Sequence, residues 1–149
     1  MRWRTDYQND FAARMDWCVK TYRDANHHPV AVINGDETKN VLQATAVSGR
    51  DVILDASASR DPDGDDLSFF WWVYPEPGSA AVRAQIQNDR GPVAAISLPP
   101  GDPGGTIHVV LEVRDNGSPS LVSYRRIVFN QVTDHALDEG NSDQSLAKD

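Results

Sequence analysis

Residues 51–74, DVILDASASRDPDGDDLSFFWWVY, decide the fold class of this chain. Two runs rich in β-branched and aromatic residues, 51–57 and 67–74, flank the turn-forming sequence DPDG at 61–64. Short runs of this composition that are separated by Gly, Pro and Asp are typical of β-strands joined by turns. The stretch therefore predicts two strands of an all-β domain.

The same pattern continues on both sides of this stretch. The predicted strands lie at 29–34, 41–47, 51–57, 67–74, 82–87, 93–98, 106–114 and 121–130. No helical segment lies between them, which excludes a doubly wound α/β fold. The region that they span, 29–132, is close to the roughly 100 residues of an immunoglobulin-like sandwich. We predict an all-β, immunoglobulin-like antiparallel β-sandwich of about seven to eight strands, preceded by one N-terminal α-helix.

The helical pattern lies between residues 7 and 25. Its apolar residues, which we call the apolar stripe, recur at helical spacing: Phe11, Met15, Cys18, Val19 and Tyr22. Asn9 or Asp10 is the expected N-cap, and Pro29 is the expected stop. An apolar helix face needs a partner, so two alternatives are open. The stripe packs on the domain that follows, or its partner is missing from this chain.

The charge balance argues against two classes of partner. The chain has 14 Lys and Arg against 22 Asp and Glu, a net charge of −8. Binding to duplex DNA or to an anionic membrane surface needs clustered basic residues, and the sequence has no basic stripe. No run approaches the roughly 18 apolar residues of a membrane span. We therefore expect no nucleic acid and no membrane as partners.

Three segments are expected along the chain. Residues 1–28 form a helix and a linker, residues 29–132 form the sandwich, and residues 133–149 form a disordered acidic tail. Trp3 and Tyr7 stand in a charged opening segment, so we expect the chain to be a fragment of a longer protein.

Two motifs carry a family resemblance. The first is GRDVILDASASRDPDGDDL at 49–67, followed by Phe69 and Trp71, and the second is IHVVLEVRD at 107–115. Both resemble the polycystic-kidney-disease-type and cadherin-like members of the immunoglobulin-like superfamily. The resemblance implies that Trp71 is the buried tryptophan of the sandwich.

A narrower resemblance covers nearly the whole chain. The sequences RWR at 2–4, QNDFAARMDW at 8–17, HP at 28–29 and FFWWVYPE at 69–76 look like the C-terminal part of bacterial cellulose-binding proteins. Those proteins pair an N-terminal nucleoside-hydrolase-like domain with a C-terminal immunoglobulin-like domain. The resemblance implies that residues 1–28 end the hydrolase-like domain, and that the partners are that upstream domain and a polysaccharide such as cellulose. It also implies an extracellular or periplasmic location.

Strand alternation places Trp71 and Trp72 on opposite faces. Phe70, Trp72 and Tyr74 then form an aromatic row on the outer face. Exposed aromatic rings suit the apolar faces of sugars, which favours a non-catalytic carbohydrate-binding module. The alternative is that the N-terminal helix or the preceding domain covers the row. The chain is then a structural module that packs on the hydrolase-like domain and orients it without a ligand of its own.

Four aspartates crowd one turn: Asp61, Asp63, Asp65 and Asp66. Carboxylates this close repel one another unless a cation or a basic partner neutralises them, and Ca²⁺ binds such oxygens. The spacing is not that of an EF-hand, because Gly64 occupies the fourth place of the loop. Two alternatives stay open: a simple turn whose side chains accept backbone N–H bonds, and a bound Ca²⁺ as a possible cofactor.

The remaining polar residues give no catalytic pattern. We expect His27 and His28 to be an exposed linker pair and His108 to lie at the surface. We expect Arg125 and Arg126 to be a solvated or edge-protecting pair. The alternative is that they pair with acids such as Glu112 across the sheet. Neither a Ser-His-Asp spacing nor a Gly-rich phosphate loop is present, so the chain is not expected to be an enzyme.

Overall fold

The computed structural model describes residues 3–78, 84–98, 100 and 104–133. An α-helix, α1, spans Arg4–Val19, and a short 3-10 helix follows at Tyr22–Asp24. The strands are β1 Leu42–Val47, β2 Asp51–Asp55, β3 Ser68–Val73, β4 Gln85–Gln87, β5 Val93–Ser97, β6 Thr106–Arg114 and β7 Val122–Val132. The predicted tail lies outside the described residues from 134 onward. Within the described ranges, no helix has the length and apolar character needed to cross a membrane.

The strands form two sheets, which confirms the predicted all-β sandwich. One sheet has the order β1-β7-β6-β3, and the other has the order β2-β5-β4. The pairs are antiparallel except for β1 and β7, which run parallel. The described part of the chain thus has seven strands, at the lower end of the predicted range, and one parallel pair that the sequence did not indicate.

The first predicted strand, 29–34, is not a strand. Its backbone makes single bridges only, from Val30 to Arg60 and from Ile33 to Asp36. Between them, the Ala31 carbonyl accepts a bond from the Arg125 guanidinium at 3.0 Å, and the Val32 N–H donates to the Ser59 hydroxyl at 3.0 Å. Side chains therefore satisfy the backbone groups that a ladder would have used.

The core lies between the two sheets and contains the inward set of each strand. Trp71 on β3 is 1% exposed, and its indole N–H donates to the Gly91 carbonyl at 2.9 Å. Ile107, Val109, Leu111 and Val113 on β6 are all buried, as their alternation predicts. The implied role of Trp71 as the sandwich tryptophan is confirmed.

Helix α1 packs on the sandwich with its polar face rather than with the apolar stripe. Asp6, Asn9, Asp10 and Ala13 face the domain, and Ala13 is completely buried. The apolar stripe points away: the exposed fractions are 60% for Phe11, 49% for Met15, 82% for Val19 and 70% for Tyr22, and Cys18 is also exposed. The alternative in which the stripe packs on the following domain is therefore wrong.

The bounds of α1 also differ from the prediction. The helix begins at Arg4, with Trp3 as its N-cap, rather than near Asn9. It ends at Val19 because Lys20 is extended and the chain turns back, which lets the Trp17 indole N–H donate to the Asn26 carbonyl at 2.8 Å. This bond ties the end of the helix to the segment that enters the sandwich.

Candidate functional site

The outer face of the four-stranded sheet carries the predicted aromatic row. Strand pairing builds three cross-strand rows there: Phe70, Glu112 and Tyr124; Trp72, Val110 and Arg126; and Tyr74, His108 and Val128. The aromatic residues of β3 are half-buried on this face, while Trp71 points into the core. The predicted separation of the two tryptophans is therefore confirmed.

The first cleft lies on one side of Trp72 and has a volume of about 380 Å³. The described residues that line it are Trp3, Lys39, Asn40, Val41, Trp72, Tyr74, Val110, Tyr124, Arg125 and Arg126. Four of them are aromatic, and none is a carboxylate. The cleft therefore combines ring surfaces with cations and an amide.

The second cleft lies on the other side of Trp72, with a volume of about 450 Å³. Its described lining residues are Thr5, Asp6, Phe70, Trp72, Val73, Glu112 and Arg114. Here the indole N–H of Trp72 donates to Glu112 Oε1 at 2.9 Å. Among the described residues, Trp72 thus lines both a cleft without carboxylates and one that contains Asp6 and Glu112.

The rings of the row do not form one flat platform. The planes of Trp72 and Tyr74 meet at 62°, with 5.4 Å between their centroids. The Arg90 guanidinium lies over the Phe70 ring at 3.8 Å. A cation in that position covers one face of the Phe70 ring, so the row presents a cleft with two angled rings rather than a surface of three coplanar rings.

The N-terminal turn of α1 lies beside the row. Trp3 lines the first cleft, and Thr5 and Asp6 line the second. Asp6 binds Arg114 at 2.6 Å and accepts a bond from the Tyr124 hydroxyl at 2.6 Å. The predicted covering of the row by the helix is therefore partial, and it is made by this turn and not by the apolar stripe.

Tyr124 is held in the protonated state by its surroundings. Its side chain lines the first cleft, and its hydroxyl donates to Asp6, which lines the second. Burial, followed by the hydrogen bond to Asp6, raises the pKa of Tyr124 far above its usual range. The phenol therefore remains a hydrogen-bond donor at every physiological pH.

Arg126 is held over the first cleft by a histidine. Its Nε donates to His108 Nδ1 at 3.1 Å, and its Nη2 also contacts that atom. His108 is 7% exposed, so the expectation that it lies at the surface is wrong. Burial, followed by the charge of Arg126, lowers the pKa of His108 and keeps the imidazole neutral. Because arginine is a donor only, Nδ1 accepts and the proton lies on Nε2.

Arg125 has a different environment from its neighbour. It is 4% exposed and points to the inner face, where it binds the Asp36 carboxylate at 2.7 Å and the Ala31 and Asp36 carbonyls. This contact lowers the pKa of Asp36. The expectation of a solvated pair is therefore wrong for Arg125, which connects the 31–36 segment to β7.

The acidic turn is organised mainly by backbone donors. Asp61 Oδ1 accepts from the N–H groups of Asp63 at 2.8 Å and Asp65 at 3.2 Å. The Asp63 carboxylate accepts the N–H of His27 at 2.7 Å and lies 3.0 Å from its Nδ1. The N–H of Asp66 donates to Asn116 Oδ1 at 3.0 Å. Such contacts are those of a turn whose carboxylates accept backbone N–H bonds, the first of the two alternatives for these aspartates.

The binding of Ca²⁺ by the four aspartates of this turn stays a hypothesis. No group of three or more His, Cys, Asp or Glu side chains with metal-binding geometry occurs among the described residues. His27 and His28 are half-buried and face Asp63 and Asp10, so the expectation of an exposed pair is wrong. A basic partner for Asp63 is thus present in the chain itself.

Asp65 lies close to buried polar groups. Burial, followed by the charges of Asp61 and Asp115, raises its pKa. A Cβ on Gly117 would meet the Asn26 side chain at 2.3 Å and Asp65 Oδ2 at 2.5 Å, so the backbone of Gly117 lies close to both side chains. Asp61 Oδ2 and Asn26 Oδ1 are buried without a hydrogen-bond partner among the described residues.

Sequence reasoning found the β3 part of the site and missed the rest. Tyr124 and Arg126 alternate onto one side of β7, but the sequence does not give the register that brings them beside Trp72. Trp3 and Lys39 come from a helix cap and a loop. Only the assembled sheet places these four side chains around one cleft.

Residues 51–131 match the family described as "Cellulose-binding protein Sde0182, C-terminal domain". No curated protein matches the chain. A solved structure of a nucleoside hydrolase-related hypothetical protein from Saccharophagus degradans, described as associated with carbohydrate metabolism, is 45% identical with a TM-score of 0.86. The match covers 88% of this chain and 32% of that one, so this chain spans about a third of that relative.

Two further solved structures match the chain at lower identity and lower TM-score. The PKD domain from KIAA 1837 protein is 21% identical with a TM-score of 0.42, over 61% of this chain and 80% of that one. Human CDH23 EC21-23 is 15% identical with a TM-score of 0.44, over 70% of this chain and 35% of that one. The match over residues 51–131 covers more than half of the sequence, and the chain therefore belongs to the family of the C-terminal domain of cellulose-binding protein Sde0182.

Proposed function

We propose that this chain is a non-catalytic carbohydrate-binding accessory module of a larger exported protein, extracellular or periplasmic, whose ligand contacts Trp72 and Tyr74 in the first cleft. The observation that carries the proposal is this cleft of about 380 Å³, in which four aromatic side chains and several polar groups converge. Sugars present apolar C–H faces and a rim of hydroxyl groups, which match rings and polar groups respectively. Membership of a cellulose-binding protein family supports the proposal.

The angled rings refine the mode of contact. A cleft with Trp72 and Tyr74 at 62° fits a sugar chain inserted edgewise better than a flat crystal face. Phe70 lines the second cleft, and Arg90 covers one of its faces. We therefore assign the main stacking contact to Trp72 and a secondary one to Tyr74, with Phe70 as a support.

The test is depletion of the protein from solution by insoluble cellulose and by unrelated polysaccharides. Trp72→Ala should weaken binding about thirtyfold or more, since truncation of an aromatic hot-spot residue costs about 2 kcal/mol or more. Phe11→Ala is the matched control, because it removes an exposed ring outside both clefts. Circular dichroism must show that both variants are folded. Equal binding by the two variants, or no binding by the unmutated chain, would reject the proposal.

A second candidate function is favoured by the exposed apolar stripe of α1. The polar face of α1 binds the sandwich, which leaves the stripe and Tyr7, at 78% exposure, in contact with solvent. Exposed apolar surface of this extent on a helix usually marks an interface. The chain then orients the N-terminal, nucleoside-hydrolase-like part of a longer protein, which binds the stripe. The family description as a C-terminal domain and the threefold longer relative support this occupant.

Cys18 provides a test of this second function. It is the single cysteine of the chain and lies on the stripe. Maleimide should label Cys18 rapidly in this chain and much more slowly in the full-length protein, as measured by peptide mass spectrometry. Labelling at the same rate in both would show that the stripe stays uncovered.

A further inference from the structure

We propose that the first cleft is selective for sugars that carry a carboxylate, such as uronic acid residues, and that Arg126 binds this carboxylate. The inference rests on the function proposed above and names its ligand class. A neutral glucan such as cellulose would then be the weaker ligand of the cleft.

The first support is the charge of the cleft. Although the chain has a net charge of −8, the described residues that line this cleft include Lys39 and Arg126 and no carboxylate. The second cleft contains Asp6, which is paired with Arg114, and Glu112, so its described lining has one more carboxylate than it has cations. The two sides of one ring thus differ in charge, and an acidic ligand is favoured on one side only.

The second support is the way in which Arg126 is held. Its guanidinium is bonded to the neutral His108 ring and lies 5.9 Å from the centroid of the Tyr74 ring. Neither contact neutralises the charge, and no ion pair between Arg126 and a carboxylate occurs among the described residues. By contrast, its neighbour Arg125 is paired with Asp36. Within the part of the chain that the structure describes, Arg126 is therefore an oriented cation without a carboxylate counter-ion, next to the proposed stacking rings.

The third support is that the groups of a uronic acid residue match the side chains of the first cleft. A guanidinium forms strong, oriented hydrogen bonds with a carboxylate, and these bonds are stronger where apolar walls exclude water. A uronic acid residue combines such a carboxylate with a ring that stacks on aromatic side chains. The arrangement of Trp72, Tyr74 and Arg126 provides both contacts in one cleft.

The test compares two oligosaccharides that differ only in whether C6 carries a hydroxyl group or a carboxylate. Cellohexaose and the same oligosaccharide oxidised to the carboxylate at C6 have identical linkages, and calorimetry measures the binding of each. The oxidised form should bind about tenfold more tightly, as expected for a charge-assisted hydrogen bond. Its advantage should shrink as the salt concentration rises.

Variants separate the inference from the proposed function. Arg126→Gln should remove the advantage of the oxidised ligand, so that the variant binds the two ligands with equal affinity. Arg60→Gln is the matched control, because Arg60 is paired with Glu37 and does not line the cleft. Circular dichroism checks that each variant is folded.

The outcomes are distinguishable. Equal affinity for the two ligands, with loss of both in Trp72→Ala, would overturn the carboxylate selectivity and leave the proposed function intact. An advantage that survives Arg126→Gln would overturn the role of Arg126. Absence of binding by either ligand would overturn both proposals.

Discussion

Asp6 in the first turn of α1 and Arg114 at the end of β6 form an ion pair of 2.6 Å that fastens the helix to the outer face of the sheet. The second oxygen of Asp6 accepts the Tyr124 hydroxyl, also at 2.6 Å. One carboxylate therefore joins three elements beside Trp72. The N-terminal turn can border both clefts because it is held there.

Asp6→Asn should lower the stability of the domain by about 1–2 kcal/mol, because charged hydrogen bonds to two partly buried groups are weakened. Chemical unfolding followed by circular dichroism measures the change. Asp16→Asn is the control, since Asp16 pairs only with Lys20 within the helix, at 2.9 Å, and such pairs contribute about 0.3–0.5 kcal/mol. Equal effects of the two substitutions would contradict the special role of Asp6.

Asp65→Asn should stabilise the protein at neutral pH. Burial raises the pKa of Asp65 in the folded state, so folding favours its protonated form. The stability from this group is present below its ordinary pKa of about 3.9 and is lost as the pH rises through the raised value. The asparagine variant should therefore be more stable than the unmutated chain at pH 7. The difference between their free energies of unfolding, measured by chemical unfolding, should become smaller toward pH 4. A difference in the free energy of unfolding between Asp65→Asn and the unmutated chain that stays constant from pH 7 to pH 4 would contradict this explanation.

Calcium should leave the thermal unfolding temperature unchanged. Asp61 and Asp63 already accept backbone N–H bonds, and Asp63 faces His27. Addition of about 5 mM Ca²⁺ to chelator-treated protein exceeds the dissociation constants of most extracellular calcium modules and so tests even a weak site. A rise in unfolding temperature that Mg²⁺ does not produce, and that Asp61→Asn removes, would establish the calcium alternative instead.

His108→Gln should make the protein less sensitive to acid. Burial and Arg126 lower the pKa of His108, so the neutral ring is favoured in the folded state. Its stabilising contribution is full above the ordinary histidine pKa of about 6.5 and declines as the pH falls below that value. Glutamine accepts a hydrogen bond from Arg126 without titrating. Between pH 7 and pH 5, the free energy of unfolding of the unmutated chain should therefore fall more than that of the variant, as measured by chemical unfolding. An equal fall in both proteins would contradict this explanation.

The fold was predictable because it depends on local patterns. Period-two alternation assigned Ile107, Val109, Leu111 and Val113 to the core, and it separated Trp71 from Trp72. Turn residues located most strand boundaries to within a few positions. The prediction of a strand at 29–34 was wrong because backbone groups of this segment pair with the side chains of Arg125 and Ser59, which are far away in the sequence. Alternation indicates which residues face the core. It does not indicate which groups pair with the backbone N–H and carbonyl groups of a segment.

The orientation of α1 was not predictable from its hydrophobic pattern. The stripe that contains Phe11 and Met15 is exposed, whereas Asp6 and Asn9 bind partners 108 and 111 positions away. A helix buries its apolar face only if a complementary surface is present, and here the sandwich offers hydrogen-bond donors and acceptors instead. The partner surface decides which face of the helix is buried.

The sequence by itself determined the all-β class, the turn chemistry of 61–64 and the outward direction of Trp72, because each follows from the geometry of a few consecutive residues. Only the tertiary structure decided the two clefts beside Trp72. Their walls come from α1, the loop before β1 and three strands, which meet through strand register and long-range hydrogen bonds. Those contacts join residues that are distant in the chain, so no local pattern encodes them.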